Sequence, residues 1–287
     1  MNRIVPLILA VALFMEQMDS TVIATALPAI AADLGVGPIT LKLALTSYMV
    51  ALAIFIPVSG WIADRYGAKK IFRIAILVFV AGSILCAVSG SLVAFVTARF
   101  LQGMGGAMMT PVGRLVLLRT TKRSELVSAM ALLTIPALVG PLTGPPVGGF
   151  ITTYFSWHWI FLINVPIGFI GVWLATIYLP DVPPIPTAPI DLKGFFYTAI
   201  AASGVVFGLS VMSLPALPIE IGVGATIGGL IAAILYLFHA RRHPTPVLDL
   251  ALFRDVAFRT SALSGSIFRI AAGAIPFTPF EQHRINQ

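Results

Sequence analysis

The sequence predicts an all-α integral membrane protein, and three observations lead to that class. Of 287 residues, 58% are hydrophobic and only 10% are charged, where a soluble domain carries about 25% charged residues. The apolar residues fall into runs close to the ~20 residues that cross a bilayer as a helix. The Lys and Arg residues collect in alternate connections between those runs, which is the pattern of membrane topology. The net charge of +7 is therefore read as topogenic, and no nucleic-acid partner is expected. Lipid is the solvent for most of this chain, and a lipid-facing backbone must satisfy its own hydrogen bonds, so helices are expected. A β-barrel would need alternating segments of ~10 residues, and the runs do not alternate.

The first run covers 4–30. Met1-Asn2-Arg3 followed by Ile4 to Phe14 looks like a signal peptide, but Glu16 and Asp19 interrupt it and apolar sequence resumes at Thr21. It is read as an uncleaved first span. Runs 41–62 and 71–88 flank Gly60 to Lys70, read as a short charged loop that makes the two spans antiparallel neighbours. Further spans are expected at 92–118, 127–152, 159–179, 194–213 and 218–238, and a ninth begins at 257–276.

Five prolines between 180 and 193 make a stiff linker that cannot continue a helix. The chain then divides into a six-helix unit (1–179), a Pro-rich cytoplasmic linker (180–193), an additional helix pair (194–238), a cytoplasmic loop (239–256) and a last segment (257–287). The last segment carries Arg269 and runs into Pro276, Pro279 and a polar tail. A packed bundle is not expected to stop there, so the expectation is a C-terminally truncated chain.

Orientation follows from the cations. With the N-terminus inside, the inner connections hold Arg3, then Arg65, Lys69, Lys70 and Arg73, then Arg119, Lys122 and Arg123, then Lys193, then Arg241, Arg242, Arg254 and Arg259. Before the tail the outer loops hold only Lys42. That asymmetry sets a cytoplasmic N-terminus. The expected location is a bacterial inner membrane, crossed many times.

Ionisable groups inside spans mark candidate chemistry. Glu16 and Asp19 stand three residues apart, near one helix face. Each ionised carboxylate costs ~2.5–3.5 kcal/mol at mid-bilayer on insertion scales. They are expected to carry protons or meet a cation; a purely structural carboxylate is the alternative. Span 4 offers Arg99 and Gln102 on one face beside Gly103, Gly105 and Gly106. Arg99 is expected to pair with a carboxylate of the first span, or else to snorkel to the outer interface. Span 5 carries Pro136, Gly140, Gly144, Pro145, Gly148 and Gly149. It reads as a kinked helix with a bare face for close packing and gating.

Other features are bland. Cys86 alone can build neither a disulfide nor a cysteine metal site, and it reads as packing. Trp157-His158-Trp159, with Phe161 and Asn164-Val165-Pro166, reads as an aromatic belt. His239 and His243 have the i,i+4 spacing of metal ligands, but Arg241 and Arg242 lie between them, and no metal site is expected. No nucleophile–base pair or phosphate loop appears, so the chain is not read as an enzyme, and no cofactor is expected.

These motifs resemble those of the major facilitator superfamily, and more narrowly its fourteen-span drug:proton antiporters. The match spans roughly 4–256. Met18-Asp19-Ser20-Thr21-Val22 through Ala26-Leu27-Pro28 is similar to the family's first-helix motif. Gly60, Asp64, Arg65, Gly67 and Lys69 match its cytoplasmic loop 2–3 motif, with Ala68 where a basic residue is usual. Phe95, Arg99, Leu101-Gln102-Gly103 and Pro111 match the fourth-helix motif, whose arginine is associated with proton coupling. Gly140, Gly144-Pro145 and Gly148-Gly149 match the antiporter motif of helix 5. Trp157-x-Trp159 through Pro166 is also similar, with His158 replacing the usual arginine.

The resemblance implies an N-terminal bundle of two inverted three-helix repeats plus an additional helix pair. It implies proton-driven efflux of small hydrophobic or cationic substrates across the lipid bilayer, with protons as the coupling partner. Asp64 is expected to pair with Arg65 or a neighbouring basic residue and to latch the cytoplasmic side. A non-transporting fragment is the alternative, and a membrane scaffold using the basic 239–259 stretch is a third reading.

Overall fold

The helix limits extend the apolar runs into the polar residues that flank them. The computed structural model describes residues 3–212 and 218–274. It contains helices α1 (Ile4–Asp33), α2 (Pro38–Tyr66), α3 (Ala68–Ala87), α4 (Leu92–Thr120), α5 (Leu126–Tyr154), α6 (His158–Leu162), α7 (Asn164–Tyr178), α8 (Leu192–Met212), α9 (Ile219–Ala240) and α10 (Val256–Ala274). Among the described residues, eight helical segments are long and apolar enough to cross a membrane, with α6 and α7 together making the sixth. No strand occurs among the described residues. The side chain of Arg269 and the tail from 275 onward lie outside the described residues.

Two features differ from expectation. Gly60 to Lys70 is not a loop: α2 runs through Tyr66, and α3 starts at Ala68. No residue from 60 to 66 breaks the helix, so the whole reversal falls on Gly67, whose φ of 91° is open to a residue without a Cβ. The sixth span is divided at Ile163 into α6 and α7, although Ile163 keeps a helical φ of −61° and ψ of −27° and its N–H donates to the Trp159 carbonyl at 3.0 Å. Pro166 has no N–H to give the Leu162 carbonyl, so one rung of the helix ladder is missing here. Helix α5 carries Pro136, Pro141, Pro145 and Pro146 within one helix.

Glycine sets the close contacts. A Cβ on Gly140 would stand 3.1 Å from the Met18 backbone N, and one on Gly148 would stand 2.8 Å from the Val22 carbonyl. The α1 and α5 backbones therefore approach as small-residue faces allow in a bilayer. Likewise α4 wedges between α2 and α3, with Gly103 against the Tyr48 carbonyl and Gly105 against the Phe79 backbone. Helices α8 and α9 cross at Gly204, Gly208, Gly222 and Gly229, and α8 rests on α2.

The connection between α7 and α8 is extended and lies across the α2–α3 turn. Ile185 N–H donates to the Asp64 carbonyl at 2.8 Å. Trp61 Nε1 donates to the Ala188 carbonyl at 3.0 Å. Lys69 Nζ stands 3.2 Å from Asp181. At the end of this connection the Asp191 carboxylate accepts from Gly194 N–H at 2.8 Å. Burial pushes the Asp191 carboxyl up, but the Gly194 N–H and the His239 ring pull harder and hold it below its ordinary range.

Two apolar clusters fill the α1–α7 interior. One, at the end of the α2–α3 turn, includes Leu9, Leu13, Phe72, Ile76 and Val116. The other, at the opposite end, includes Ile30, Leu41, Phe95, Trp157 and Phe161. The outer surface is also apolar: Val127 is 83% exposed and Leu142 75%, as a lipid-facing surface requires.

Candidate functional site

Between the two apolar clusters lies a layer of buried polar side chains, and Asp19 of α1 is at its centre. Asp19 Oδ2 accepts from Arg99 Nη1 of α4 at 2.7 Å. Asp19 Oδ1 accepts from Gln102 Nε2 at 2.8 Å and from Asn164 Nδ2 of α7 at 2.9 Å. Ser83 of α3 closes the network, its Oγ accepting from Gln102 at 2.7 Å and from Asn164 at 3.3 Å. Arg99 also donates to Gln102 Oε1. The two charged side chains are 1% and 0% exposed.

Local packing makes this arrangement possible. Gly103, Gly105 and Gly82 bring α4 against α2 and α3, so the short reach from Gln102 to Ser83 can be closed. Asn164 stands at the start of α7, which packs on α1 and α3. The Arg99 guanidinium lies 4.4 Å from the centre of the Tyr48 ring and 5.8 Å from that of Phe161, within cation–π range. A charged pair in such a dry site is held strongly, because removing either partner strands the other.

Glu16 sits one helical turn from Asp19, but in different surroundings. Its carboxylate accepts from Thr110 Oγ1 at 2.8 Å. It lines a cleft of about 470 Å³ with Gly60, Gly106, Thr110 and Arg114. One carboxylate is thus sealed in a network, while the other borders open space.

A second charged cluster lies at the α2–α3 turn. Asp64 Oδ1 accepts from Arg119 Nη2 of α4 at 2.7 Å, with both side chains partly exposed. Of the two expected pairings, with Arg65 or with a neighbouring basic residue, the first is corrected: Arg65 is exposed, and the basic partner is Arg119 from the far end of α4. Sequence adjacency misleads here, because on a helix Arg65 points about 100° away from Asp64.

The structure brings together Asp19, Glu16, Arg99 and Gln102, and separately Asp64, Gly67 and Lys69 around the turn. Gly60 is exposed, with nothing within 4 Å of a Cβ there. On α5, Gly140, Gly144 and Gly148 face α1, while Gly149 meets nothing within 4 Å. Pro136 is half-buried, and Pro145 is exposed. Sequence reading missed Ser83, Asn164, Thr110, Tyr48 and Arg119. Asn164 was visible as a polar residue, but one assigned to the aromatic belt. Serine and threonine in apolar helices carry no such signal.

The Major Facilitator Superfamily model matches residues 9–282. Proteins named multidrug resistance protein MdtD from Salmonella newport and Salmonella typhimurium are each 40% identical over 270 residues, 94% of this chain and 57% of the relative. The chain therefore spans a little over half the length of these curated relatives. Among solved structures, a peptide transporter POT in complex with sulfate superposes with a TM-score of 0.62 at 19% identity, covering 84% of this chain and 53% of that one. The POT-family transporter PepTSo gives 0.59 at 19%, covering 87% and 56%. Likeness at that identity concerns the fold.

Proposed function

The chain belongs to the major facilitator superfamily, a family of membrane transporters rather than enzymes, and on that premise we propose that it works in proton-coupled efflux of small hydrophobic or cationic compounds. The observation that carries this reading is the sealed Asp19–Arg99 pair beside a second carboxylate, Glu16, that borders a cleft. An ionised pair that deep is tolerable only while both charges are present. Adding a proton to Asp19 removes one charge and leaves Arg99 seeking another acceptor. That gives the helices two discrete arrangements, which is what coupling requires.

The two carboxylates divide the work. Asp19 holds the proton and switches the network through Arg99, Gln102 and Asn164. Glu16 faces the cleft and attracts the cationic part of a substrate, while the apolar lining accepts its body. Asp64 and Arg119 latch the basic ends of α2 and α4 in one of the two arrangements. Residues 1–179 form the six-helix unit that carries this machinery, with 194–238 as an added pair. The basic ends face the cytoplasm of a bacterial inner membrane, in keeping with the charge rule and with bacterial relatives named for multidrug resistance.

A second reading rests on the 57% coverage of those relatives: the chain binds substrate and proton without completing transport by itself. Two measurements on the chain separate the readings. Binding of a cationic dye to the purified chain is followed by fluorescence anisotropy, and proton-driven dye efflux is followed in a bacterial strain lacking other pumps. Efflux that Asp19→Asn abolishes supports the first reading. Binding without efflux supports the second. Proton-dependent efflux retained in Asp19→Asn removes Asp19 from the mechanism.

A further inference from the structure

Away from the Asp19 network, the structure gathers a third ligand onto two histidines. His239 and His243 are one turn apart at the end of α9, and Asp191 reaches them from the start of α8. His239 Nε2 lies 2.8 Å from Asp191 Oδ1 and 2.9 Å from Oδ2. His243 Nε2 lies 4.0 Å from Asp191 Oδ1. The ligand atoms of all three lie within 4.8 Å of one another. We propose that Asp191, His239 and His243 form a binding site for a divalent cation of the zinc class.

The distances fit. Tetrahedral zinc with bonds of ~2.0–2.1 Å to nitrogen and oxygen sets its ligand atoms ~3.3 Å apart, and the separations here of 2.8 Å and 4.0 Å bracket that value. Two imidazoles are borderline donors that favour zinc-like ions over magnesium or calcium, and the carboxylate adds a negative charge. Three ligands leave a fourth position for water. Asp191 is already oriented by the Gly194 N–H, the supporting contact that ligating carboxylates use. It also borders a cavity of about 360 Å³ lined by Gly60, Trp61, Pro189 and Thr245, which gives an entry path.

The arginines between the histidines do not oppose this. Both are exposed, and Arg241 turns into a separate cavity with Asp249 and Arg254. Two adjustments are needed. His239 Nε2 now donates its proton to the Asp191 carboxylate, and ligation through that nitrogen moves the proton to Nδ1. His243 Nδ1 accepts from Thr245 N–H at a long 3.3 Å, so ligation through Nε2 moves the ring proton to Nδ1 and breaks that contact. A bound ion would join the Pro-rich connection to the α8–α9 pair.

The test uses the full chain purified without a histidine tag, with Zn²⁺ and Co²⁺ as probes. The expected result is one ion bound per chain, with Co²⁺ giving the intense visible absorption of a tetrahedral site. Asp191→Asn and His243→Ala should each weaken binding at least about ten-fold, the loss seen even for supporting groups. His158→Ala and Arg241→Ala should leave it unchanged. His243 is partly exposed, so His243→Ala tests the site without threatening the fold. No stoichiometric binding, or equal binding by the His239→Gln/His243→Gln double variant, would overturn the proposal.

Discussion

The Asp19–Arg99 pair can be measured directly as a coupling energy. In Asp19→Asn the new amide group must point at either Arg99 or the Gln102 and Asn164 donors, because the Asp19 oxygens accept from all three. Each orientation sets donor against donor. Removing one partner of a buried ion pair costs about 3–5 kcal/mol. A neutral interhelical hydrogen bond in a membrane averages only about 0.6 kcal/mol. The two sizes are far enough apart to identify the interaction. Asp19→Asn and Arg99→Gln should each destabilise the chain by about 3 kcal/mol or more, roughly two decades in the unfolding constant. The double variant should cost much less than their sum, since neither charge is then stranded. Asn164→Ala, which removes a neutral donor to the charged Asp19 carboxylate and leaves the ion pair in place, should cost about 1.5–3 kcal/mol. The assay is unfolding in mixed micelles titrated with SDS, read by tryptophan fluorescence. Additive single-variant losses, or Asp19→Asn within about 0.5 kcal/mol of the parent, would refute a tightly coupled pair.

Two further outcomes follow from geometry elsewhere. Asp64→Asn and Arg119→Gln should each change stability by less than about 1 kcal/mol, since the pair is partly exposed, yet each should depress dye efflux; normal efflux in both removes the latch. On α5, Gly148→Val drives a side chain into Val22 and Thr25 and should cost more than the ~1–3 kcal/mol of ordinary overpacking. Gly149→Ala, with nothing within 4 Å, should be neutral in the same SDS titration, and equal losses at the two positions would contradict the assigned face.

The spans were legible because lipid leaves one solution for an apolar run of that length. Asp19, Glu16, Arg99 and Gln102 were legible because polar groups inside such runs are costly enough to need a partner. Their division was not, because three residues on one helix say nothing of the different neighbours at Asp19 and Glu16. Asn164 was assigned to the surface belt by the tryptophans beside it, and its inward contacts with Asp19 and Ser83 appear only in the fold. Arg119 looked like any topogenic cation, and its partner is 55 residues away. The same blindness hid Asp191 from His239, 48 residues apart. The turn at Gly67 was overestimated in length because charged residues read as loop, although glutamate-, lysine- and arginine-like side chains sit comfortably in helices.

The distance along the chain between Asp19 and Arg99 has a consequence for biogenesis. The two residues are 80 positions apart, and synthesis at ~5–20 residues per second puts roughly 4–16 seconds between them. Asn164 follows 145 positions after Asp19, and the α5 glycines that clasp α1 also come later. For that interval α1 is in the membrane without the partners it packs on. Its carboxyls have no cation and its small-residue partner does not yet exist. The ribosome therefore makes this dependent helix before its supports, and its membrane residence is settled only when α4, α5 and α7 have been delivered beside it.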